Sequence, residues 1–503
     1  MNFDKIFRQA ILFIVLAELV SLLVFLLPDL KSAAFFGILI IALALSVLRL
    51  DYGIYMALTE LFIGSKGHLF SFTIDDFTIS IRIGLWIIIM SVWAIKLLIR
   101  CCGDSRGQSK QWLEHFTKHK FLPYFAILFA FIAWGLINGW LNNNDLKNIF
   151  YDFNGWLYFT YLFPLYLIFK NNPSAQFKKI WQLLLAAAIW LSAKSLILLF
   201  IFSHNMTGAA RIAYRWVRDT GVGEITLIQG GFYRVFFQSH IYVLIAFFVF
   251  FLFAVITFKK TNFLNKKYGL IFFFLILFSA INLLNFSRSN WAGIIFCLLF
   301  AFAFIFKKYG WQKIIIAALV LFFSTLLSFG LVVGIVKFPY PNPLGGFDTA
   351  SLISQRASQF TDEAGISSRW SLYPELWQKI KFSPILGQGF GTTVTYVSSD
   401  PRVLENSPDG KYTTYAFEWG WSDIWLKLGI FGLIIYIALV IKIIIIGLVE
   451  NKEQKANINL IILKNGLTFG LTAIVIISFF SPYLNHPLGI GYIILLSAIL
   501  DKK

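Results

Sequence analysis

The sequence predicts an all-α fold: a polytopic transmembrane helix bundle of 12–14 spans with one large extracytoplasmic loop. Three observations support this prediction. The 503-residue chain is 58% hydrophobic and only 14% charged, whereas soluble chains carry about 25% charged residues. Apolar runs close to the roughly 20 residues that cross a bilayer core recur along the chain. One long hydrophilic stretch, residues 337–422, interrupts them late in the sequence.

We predict fourteen spans, of which the third carries Glu60 and is short enough to be a half-helix. The first run follows Lys5 and Arg8 and lacks a small-residue cleavage site, so it is interpreted as an uncleaved helix. In order, the spans lie near residues 8–27, 33–48, 51–65, 79–99, 121–141, 152–169, 178–202, 239–258, 268–286, 290–306, 312–335, 423–448, 459–480 and 486–500.

Lysine-rich connections give the orientation of these spans. When the N-terminus is placed inside, the connections on the inner side include 100–120, 170–178, 259–267, 306–312 and 449–458, which are the lysine-rich ones. Cytoplasmic loops carry an excess of Lys and Arg. The sequence therefore predicts that both termini face the cytoplasm, and these loops explain most of the +18 net charge without nucleic acid.

Three regions follow from this arrangement. Residues 1–336 form a transmembrane bundle with an outer loop at about 203–238, residues 337–422 form the large extracytoplasmic loop, and residues 423–503 form C-terminal transmembrane helices. The chain shows no internal repeat, which argues against a transporter built on inverted repeats. Outer-loop cysteine pairs are absent from the sequence, so no disulfide framework is expected.

Arginine is distributed differently from lysine. Every arginine after Arg106 falls on the predicted outer side. The planar guanidinium matches phosphate geometry, which predicts an anionic, phosphate-bearing substrate on that side of the membrane. These residues are Arg211, Arg215, Arg218, Arg234, Arg288, Arg356, Arg369 and Arg402.

Two arginine groups carry different alternatives. Arg211, Arg215 and Arg218 are spaced i, i+4 and i+7, so they share one face of a helix. That face suits either anionic lipid headgroups or a substrate phosphate. Arg288 lies in a short polar break between two apolar runs, where an arginine costs about 2.5–3.5 kcal/mol on insertion scales and usually has a partner or a wet cavity.

A carboxylate near the end of the large loop is the candidate general base. Glu418 lies among aromatic residues directly before a span, where burial would favour a raised pKa. The alternative is a salt bridge to one of the arginines. Asp423, inside the start of the span, is a competing carboxylate, and the helix dipole alone explains an acid at that position.

Metal chemistry has little support in the sequence. The outer histidines His68, His204, His240 and His486 lack metal-ligand spacing, so no metal and no cofactor is expected. The paired acids Asp75 and Asp76 are the basis of one alternative, a metal-dependent lipid-sugar glycosyltransferase. A second alternative is a flippase or exporter of lipid-linked oligosaccharide.

Taken together, residues 205–500 resemble the O-antigen ligase and O-antigen polymerase superfamily of bacterial polysaccharide-assembly membrane proteins. The resemblance depends on the order of several short motifs. They are Arg234 before a middle span, Ser287-Arg288-Ser289-Asn290-Trp291-Ala292-Gly293, Arg369, Trp377, Pro384-Ile385-Leu386-Gly387-Gln388-Gly389 and Trp425-Leu426-Lys427-Leu428-Gly429-Ile430-Phe431-Gly432.

The resemblance implies transfer of a glycan from an undecaprenyl diphosphate carrier to an acceptor sugar on the outer face, independent of metal and with membrane lipids as surroundings. It implies that Arg234 and Arg288 hold the diphosphate, with Arg369, Arg215, Arg211 and Asp423 as further substrate contacts. In ligases of the family the base is usually a histidine eleven positions before the first glycine of the next helix. Counting back from Gly429 reaches Glu418, which favours a polymerase, or a ligase with a different acceptor.

Overall fold

The computed structural model describes residues 4–64, 69–74, 77–102, 119–228, 232–258, 265–345, 364–449 and 458–501. It confirms the all-α class. The first half contains helices α1 Lys5–Leu26, α2 Lys31–Leu48, α3 Leu50–Ile63, α4 Ile81–Cys102, α5 Leu122–Leu141, α6 Leu146–Phe153, α7 Leu162–Asn171, α8 Pro173–Ser203 and α9 Thr207–Asp219. The second half contains α10 His240–Thr257, α11 Lys266–Leu284, α12 Arg288–Tyr309, α13 Trp311–Val336, α14 Ala364–Phe382, α15 Pro401–Asn406, α16 Gly420–Leu448, α17 Ile458–Ile477 and α18 Pro487–Leu500.

Three small antiparallel hairpins accompany the helices in the described chain. The strands of the first two are separated by two or three residues, those of the third are separated by residues 398–410 with α15, and none was predicted from the sequence. They are β1 Ser71–Ile74 with β2 Phe77–Ser80, β3 Gly223–Ile228 with β4 Phe232–Phe237, and β5 Val394–Val397 with β6 Lys411–Thr414. All three lie in connections on one end of the bundle.

Eleven helices of the described chain are long and apolar enough to cross a membrane. They are α1, α2, α4, α5, α8, α10, α11, α12, α13, α16 and α17. The other three expected spans are shorter: α3 and α18 have 14 residues each, and 152–169 is divided between the 3₁₀ turn Trp156–Tyr161 and α7. A 14-residue helix extends about 21 Å, less than the roughly 30 Å of hydrocarbon.

The shortness of α18 has a clear physical reason. All of its residues are buried within the protein, so its continuous apolar surface packs against other helices and not against lipid. A helix that is hydrophobic all round is a core helix in such a setting. The outward faces of α1 and α13, by contrast, expose residues such as Phe13 at 65% and Phe322 at 61%.

Three lysine pairs lie at the end of the bundle opposite the cavity arginines, whereas Lys31 lies at the arginine-bearing end. Lys178 and Lys179 lie in the first turns of α8, Lys266 and Lys267 begin α11, and Lys307 and Lys308 end α12. The other ends of the same helices, at Ser203, Leu284 and Arg288, lead into the arginine-bearing connections. The structure thus separates these lysine pairs from the cavity arginines, as the sequence suggested.

The large loop contains a small core of its own. Leu372, Leu376 and Ile380 of α14 pack with Val394, Phe417 and Leu426, so the loop core continues into α16. Three asparagines at the end of α5 and just after it bind the loop backbone through their side-chain amides. Asn138 donates to the Gly387 carbonyl at 2.9 Å, Asn142 to the Gln388 carbonyl at 3.1 Å and Asn144 to the Phe390 carbonyl at 2.9 Å. The loop is therefore fastened to the bundle.

Candidate active site

A cavity of about 710 Å³ opens at the arginine-bearing end of the bundle. This volume is in the range of ligand pockets, about 300–1,000 Å³. Arg234, Arg288, Arg369 and Glu418, all singled out from the sequence, line it. The remaining lining residues are Glu224, Phe236, Gln238, Phe286, Ser287, Ser289, Ala292, Trp370, Asp400, Trp419, Phe480, Ser481, Pro482, Tyr483, His486 and Leu488.

The β3–β4 hairpin positions Arg234. Side chains alternate along a strand, so Arg234 and Phe236 share the cavity face while Val235 and Phe237 are buried on the other. Arg234 Nε donates to the backbone carbonyl of Asn285 at 2.7 Å, and one terminal nitrogen lies 3.9 Å from Glu224. These contacts orient the guanidinium at the junction between α11 and α12.

The junction itself presents Arg288. Asn285 caps the end of α11 and its side chain accepts from the Ser287 N–H at 3.1 Å. Phe286 adopts a positive φ of 45° there and packs on Phe232. Ser287 is the N-cap of α12, so Arg288 occupies its first turn, where free N–H groups and the helix dipole favour an anion.

The large loop supplies the remaining charged pair. Arg369 on α14 donates to the carboxylate of Glu418, and the two form a salt bridge. Trp419 fixes this geometry, since its indole N–H donates to the Arg369 carbonyl at 3.1 Å and its ring packs against Trp370 and Tyr373. The salt-bridge alternative for Glu418 is thus what the structure contains.

The lining is mixed in charge. Three arginines face three carboxylates, Glu224, Asp400 and Glu418. Arginine suits phosphate oxygens, whereas carboxylates accept hydrogen bonds from hydroxyl groups. A cavity with both suits a ligand that carries phosphate at one end and hydroxyls at the other.

Several lining residues were missed by sequence reasoning. Glu224, Asp400 and His486 lie far apart in the chain and belong to no motif. Alternation with Arg234 along one strand is the only sequence signal that would have indicated Phe236. Burial raises the pKa of the Tyr396 phenol, and the charge of Glu418 raises it further, which places a neutral phenol in the surroundings of this carboxylate.

Two other predicted contacts, Arg211 and Arg215, do not line this cavity. They lie on α9 and line a separate cavity. Arg218, on the same helix, packs over the Tyr214 ring at 5.8 Å.

Asp423 is also absent from the cavity lining. It is buried, pairs with Lys427 at 2.6 Å and accepts from the Asn485 amide at 2.5 Å. Lys427 in turn contacts Asp152 at 2.5 Å. The substrate contact proposed for Asp423 stays a prediction, and its observed contacts are structural.

Asp75, Asp76, Arg356 and the side chain of Arg402 lie outside the described residues. Within the described ranges, no cluster of three or more His, Cys, Asp or Glu side chains has the arrangement of a metal site.

Residues 271–437 match the family described as O-antigen ligase. The match covers about a third of the chain and supports its assignment to the O-antigen ligase and polymerase superfamily. No curated protein and no solved structure matches the chain.

The O-antigen ligase segment includes three of the four predicted cavity residues. Arg288, Arg369 and Glu418 lie inside the matched range, and Arg234 reaches the same cavity from a hairpin that precedes it. The match supports a ligase- or polymerase-type family for this multi-pass membrane protein.

Proposed function

We propose that this protein transfers a glycan from an undecaprenyl diphosphate carrier to an acceptor sugar on the outer face of the bacterial cytoplasmic membrane. The observation that supports this most is the convergence of Arg234, Arg288 and Arg369 with Glu418 around one cavity. These residues come from a hairpin, a helix start and the large loop. A carrier diphosphate gives the three arginines a common ligand.

The surface of α12 supports a lipid donor. Arg288 and Ala292 line the cavity, and Ile295 and Leu299 continue the same helical face with exposures of 58% and 61%. A diphosphate at Arg288 would therefore lead directly into an apolar stripe that faces lipid. The polyprenyl chain would lie along that stripe without leaving the bilayer.

The proposed reaction is a single displacement. An acceptor hydroxyl oxygen attacks the anomeric carbon of the donor and passes its proton to the Glu418 carboxylate, while the bond between that carbon and the diphosphate oxygen breaks. Undecaprenyl diphosphate leaves with the bonding electrons, and the anomeric centre is inverted. Negative charge grows on the leaving group, so arginines positioned in advance stabilise the transition state.

Glu418 must exchange its partner for this to occur. In the described state Arg369 occupies its carboxylate. An arriving diphosphate offers Arg369 a second anion, which would free Glu418 to accept a hydroxyl proton. Donor binding would thus prepare the base.

The lysine distribution supports the orientation. Lysines gather at the end of the bundle opposite the cavity, and cytoplasmic ends carry this excess. We place both termini in the cytoplasm and the cavity on the extracytoplasmic side.

The test is the purified protein incubated with a lipid-linked repeat unit, with and without a lipid-A-type acceptor, and in each case with and without a chelator. We expect new glycosidic bonds and released undecaprenyl diphosphate. Bonds formed without the acceptor identify a polymerase, and bonds that need it identify a ligase. Movement of the substrate across liposomes with no bond formed would instead establish the flippase alternative, and loss of activity in chelator the metal-dependent one.

A further inference from the structure

A second cavity, of about 450 Å³, lies at the same end of the bundle as the candidate active site but shares no lining residue with it. It lies between the end of α1, the start of α2 and the amphipathic helix α9. Its lining consists of Val24, Phe25, Leu26, Pro28, Lys31, Leu69, Arg211, Ile212, Arg215, Asp219 and Thr220.

The polar part of this cavity is cationic. Lys31, Arg211 and Arg215 face it, and Asp219 is the one carboxylate among its lining residues, which leaves a surplus of two positive charges. Asp219 lies 3.6 Å from Arg215, and both side chains are at least half exposed. Such a weak, solvated contact leaves the guanidinium available for a stronger anion.

The apolar part continues into the membrane-facing surface. Leu16, Leu19, Leu23 and Leu26 recur at helical spacing on α1 with exposures of 46%, 56%, 50% and 51%. Leu26 lines the cavity, so this stripe begins where the cationic part ends. An exposed apolar stripe that suits hydrocarbon chains therefore adjoins the cationic part of the cavity.

Helix α9 is held in place to form this site. Its inward residues Ala213 and Val217 are buried, and the Trp216 indole N–H donates to the Ser21 hydroxyl of α1 at 3.0 Å. Ile212, which lines the cavity, and Tyr214 are exposed at 45% and 37%. This pattern is typical of a helix that lies in the plane of the membrane surface.

We propose that this cavity binds the phosphate headgroup of an anionic lipid, with Arg211, Arg215 and Lys31 on the phosphate and the acyl chains along α1. The site is separate from the cavity in which we place glycan transfer. Its occupation does not depend on the proposed function, so a binding measurement can fail or succeed independently of any transferase assay.

The test uses the purified full-length chain and native mass spectrometry with phosphatidylglycerol as the probe. Two surface cations contribute about 1 kcal/mol each toward an anionic lipid, so R211Q/R215Q should weaken phosphatidylglycerol retention about tenfold to thirtyfold. R218Q is the matched control, because Arg218 lies on the same helix and does not line the cavity. Unchanged retention in the double variant, or equal loss in R218Q, would overturn the proposal.

Two further arms identify the ligand chemistry. Phosphatidylcholine, which carries the phosphate without net negative charge, should bind more weakly than phosphatidylglycerol and lose little in the double variant. Inorganic phosphate in excess should fail to displace phosphatidylglycerol, because it lacks acyl chains. Displacement by inorganic phosphate would show a simple anion site and contradict the lipid assignment. Thermal melting of R211Q/R215Q should match the parent chain, since both side chains are exposed.

Discussion

Arg288 combines two sources of positive potential at one point, its own guanidinium and the N-terminal end of the dipole of α12. Its removal should cost the transition state about 1.5–3 kcal/mol, typical of a hydrogen bond to a charged group. We therefore expect Arg288→Ala to slow carrier release about 10- to 100-fold. Arg288→Lys should be intermediate, since it keeps the charge and loses the planar fork.

The measurement for Arg288 is polymer length in cells and carrier release by purified protein at equal expression. Normal polymer from a well-expressed Arg288→Ala variant would contradict the phosphate role.

Glu418 can be tested by an isosteric change that removes its basicity. Glu418→Gln should lower the rate of glycosidic bond formation about 10²- to 10⁴-fold, the usual contribution of a general base. Glu405→Gln is the control, because Glu405 is an exposed carboxylate on α15 in the same loop, outside the cavity. Donor binding should persist in both variants. Full activity of Glu418→Gln would contradict its role as the general base and would make Asp400 and His486 the next candidates for that role.

At the residue scale, the sequence predicted the principal cavity cations but not all of its lining. Arg288 was recognisable because placing an arginine between two apolar runs costs free energy unless the guanidinium has a partner or a wet cavity. His486 and Asp400 carried no such signal, since they approach only through the packing of α18 and the large loop. The sequence also did not indicate the buried contacts of Asp423, because its partner Asn485 is distant in the chain and reaches it only through tertiary packing.

At the scale of elements, the glycine-rich turn after α14 is a joint between the loop and two helices. Gly389 has φ of 80°, and a Cβ there would meet the Gly139 backbone nitrogen at 2.0 Å. Gly429 has φ of 72° within α16, and the freed Ile430 N–H donates to the Pro384 carbonyl at 3.0 Å. The glycine motifs that contributed to the family resemblance therefore connect the large loop to α5 and α16 beside the cavity.

Gly389→Ala should destabilise this joint. Left-handed backbone for a residue with a side chain costs about 1–3 kcal/mol, and the close approach to α5 adds to it. We expect a lower melting temperature together with reduced activity. Gly208→Ala provides the comparison, because nothing lies within 4 Å of its added Cβ. Equal melting of the two variants would contradict the joint.

Element prediction was least successful where an apolar run ends inside protein. The runs at 51–65, 152–169 and 486–500 read as spans because composition alone does not distinguish lipid from protein neighbours. Helix α18 shows the difference, since all its residues are buried. The helix at 207–219, by contrast, agrees with the helical face that the spacing of Arg211, Arg215 and Arg218 indicated.

At the scale of the whole molecule, a buried ionic cluster connects distant parts of the chain. Lys427 of α16 pairs with Asp152 of α6 and with Asp423, while Asp152 also accepts from the Gly391 N–H at 2.9 Å. Removing one member of a buried pair costs about 3–5 kcal/mol, because its partners stay charged and buried. Lys427→Ala should melt at a markedly lower temperature, while Lys379→Ala, an exposed change on α14, should not.

The orientation of the molecule can be measured directly. Glu405→Cys should react with a membrane-impermeant maleimide in intact cells, and Lys307→Cys should react only after the membrane is permeabilised. The unsubstituted chain reports background from its three native cysteines. The reverse labelling pattern would place the cavity in the cytoplasm and overturn the proposed location of transfer.

The Arg369–Glu418 salt bridge bears on which molecules enter the cavity at all. Phospholipids vastly outnumber any glycan carrier in a bilayer. Their headgroups would therefore occupy an arginine that had no carboxylate partner. Because Arg369 is already paired with Glu418, an incoming phosphate must displace the Glu418 carboxylate from the guanidinium. The phosphodiester of a phospholipid carries less negative charge than a diphosphate and therefore competes less well with Glu418 for Arg369. The Arg369–Glu418 ion pair would thus select the diphosphate carrier over the surrounding membrane phospholipids.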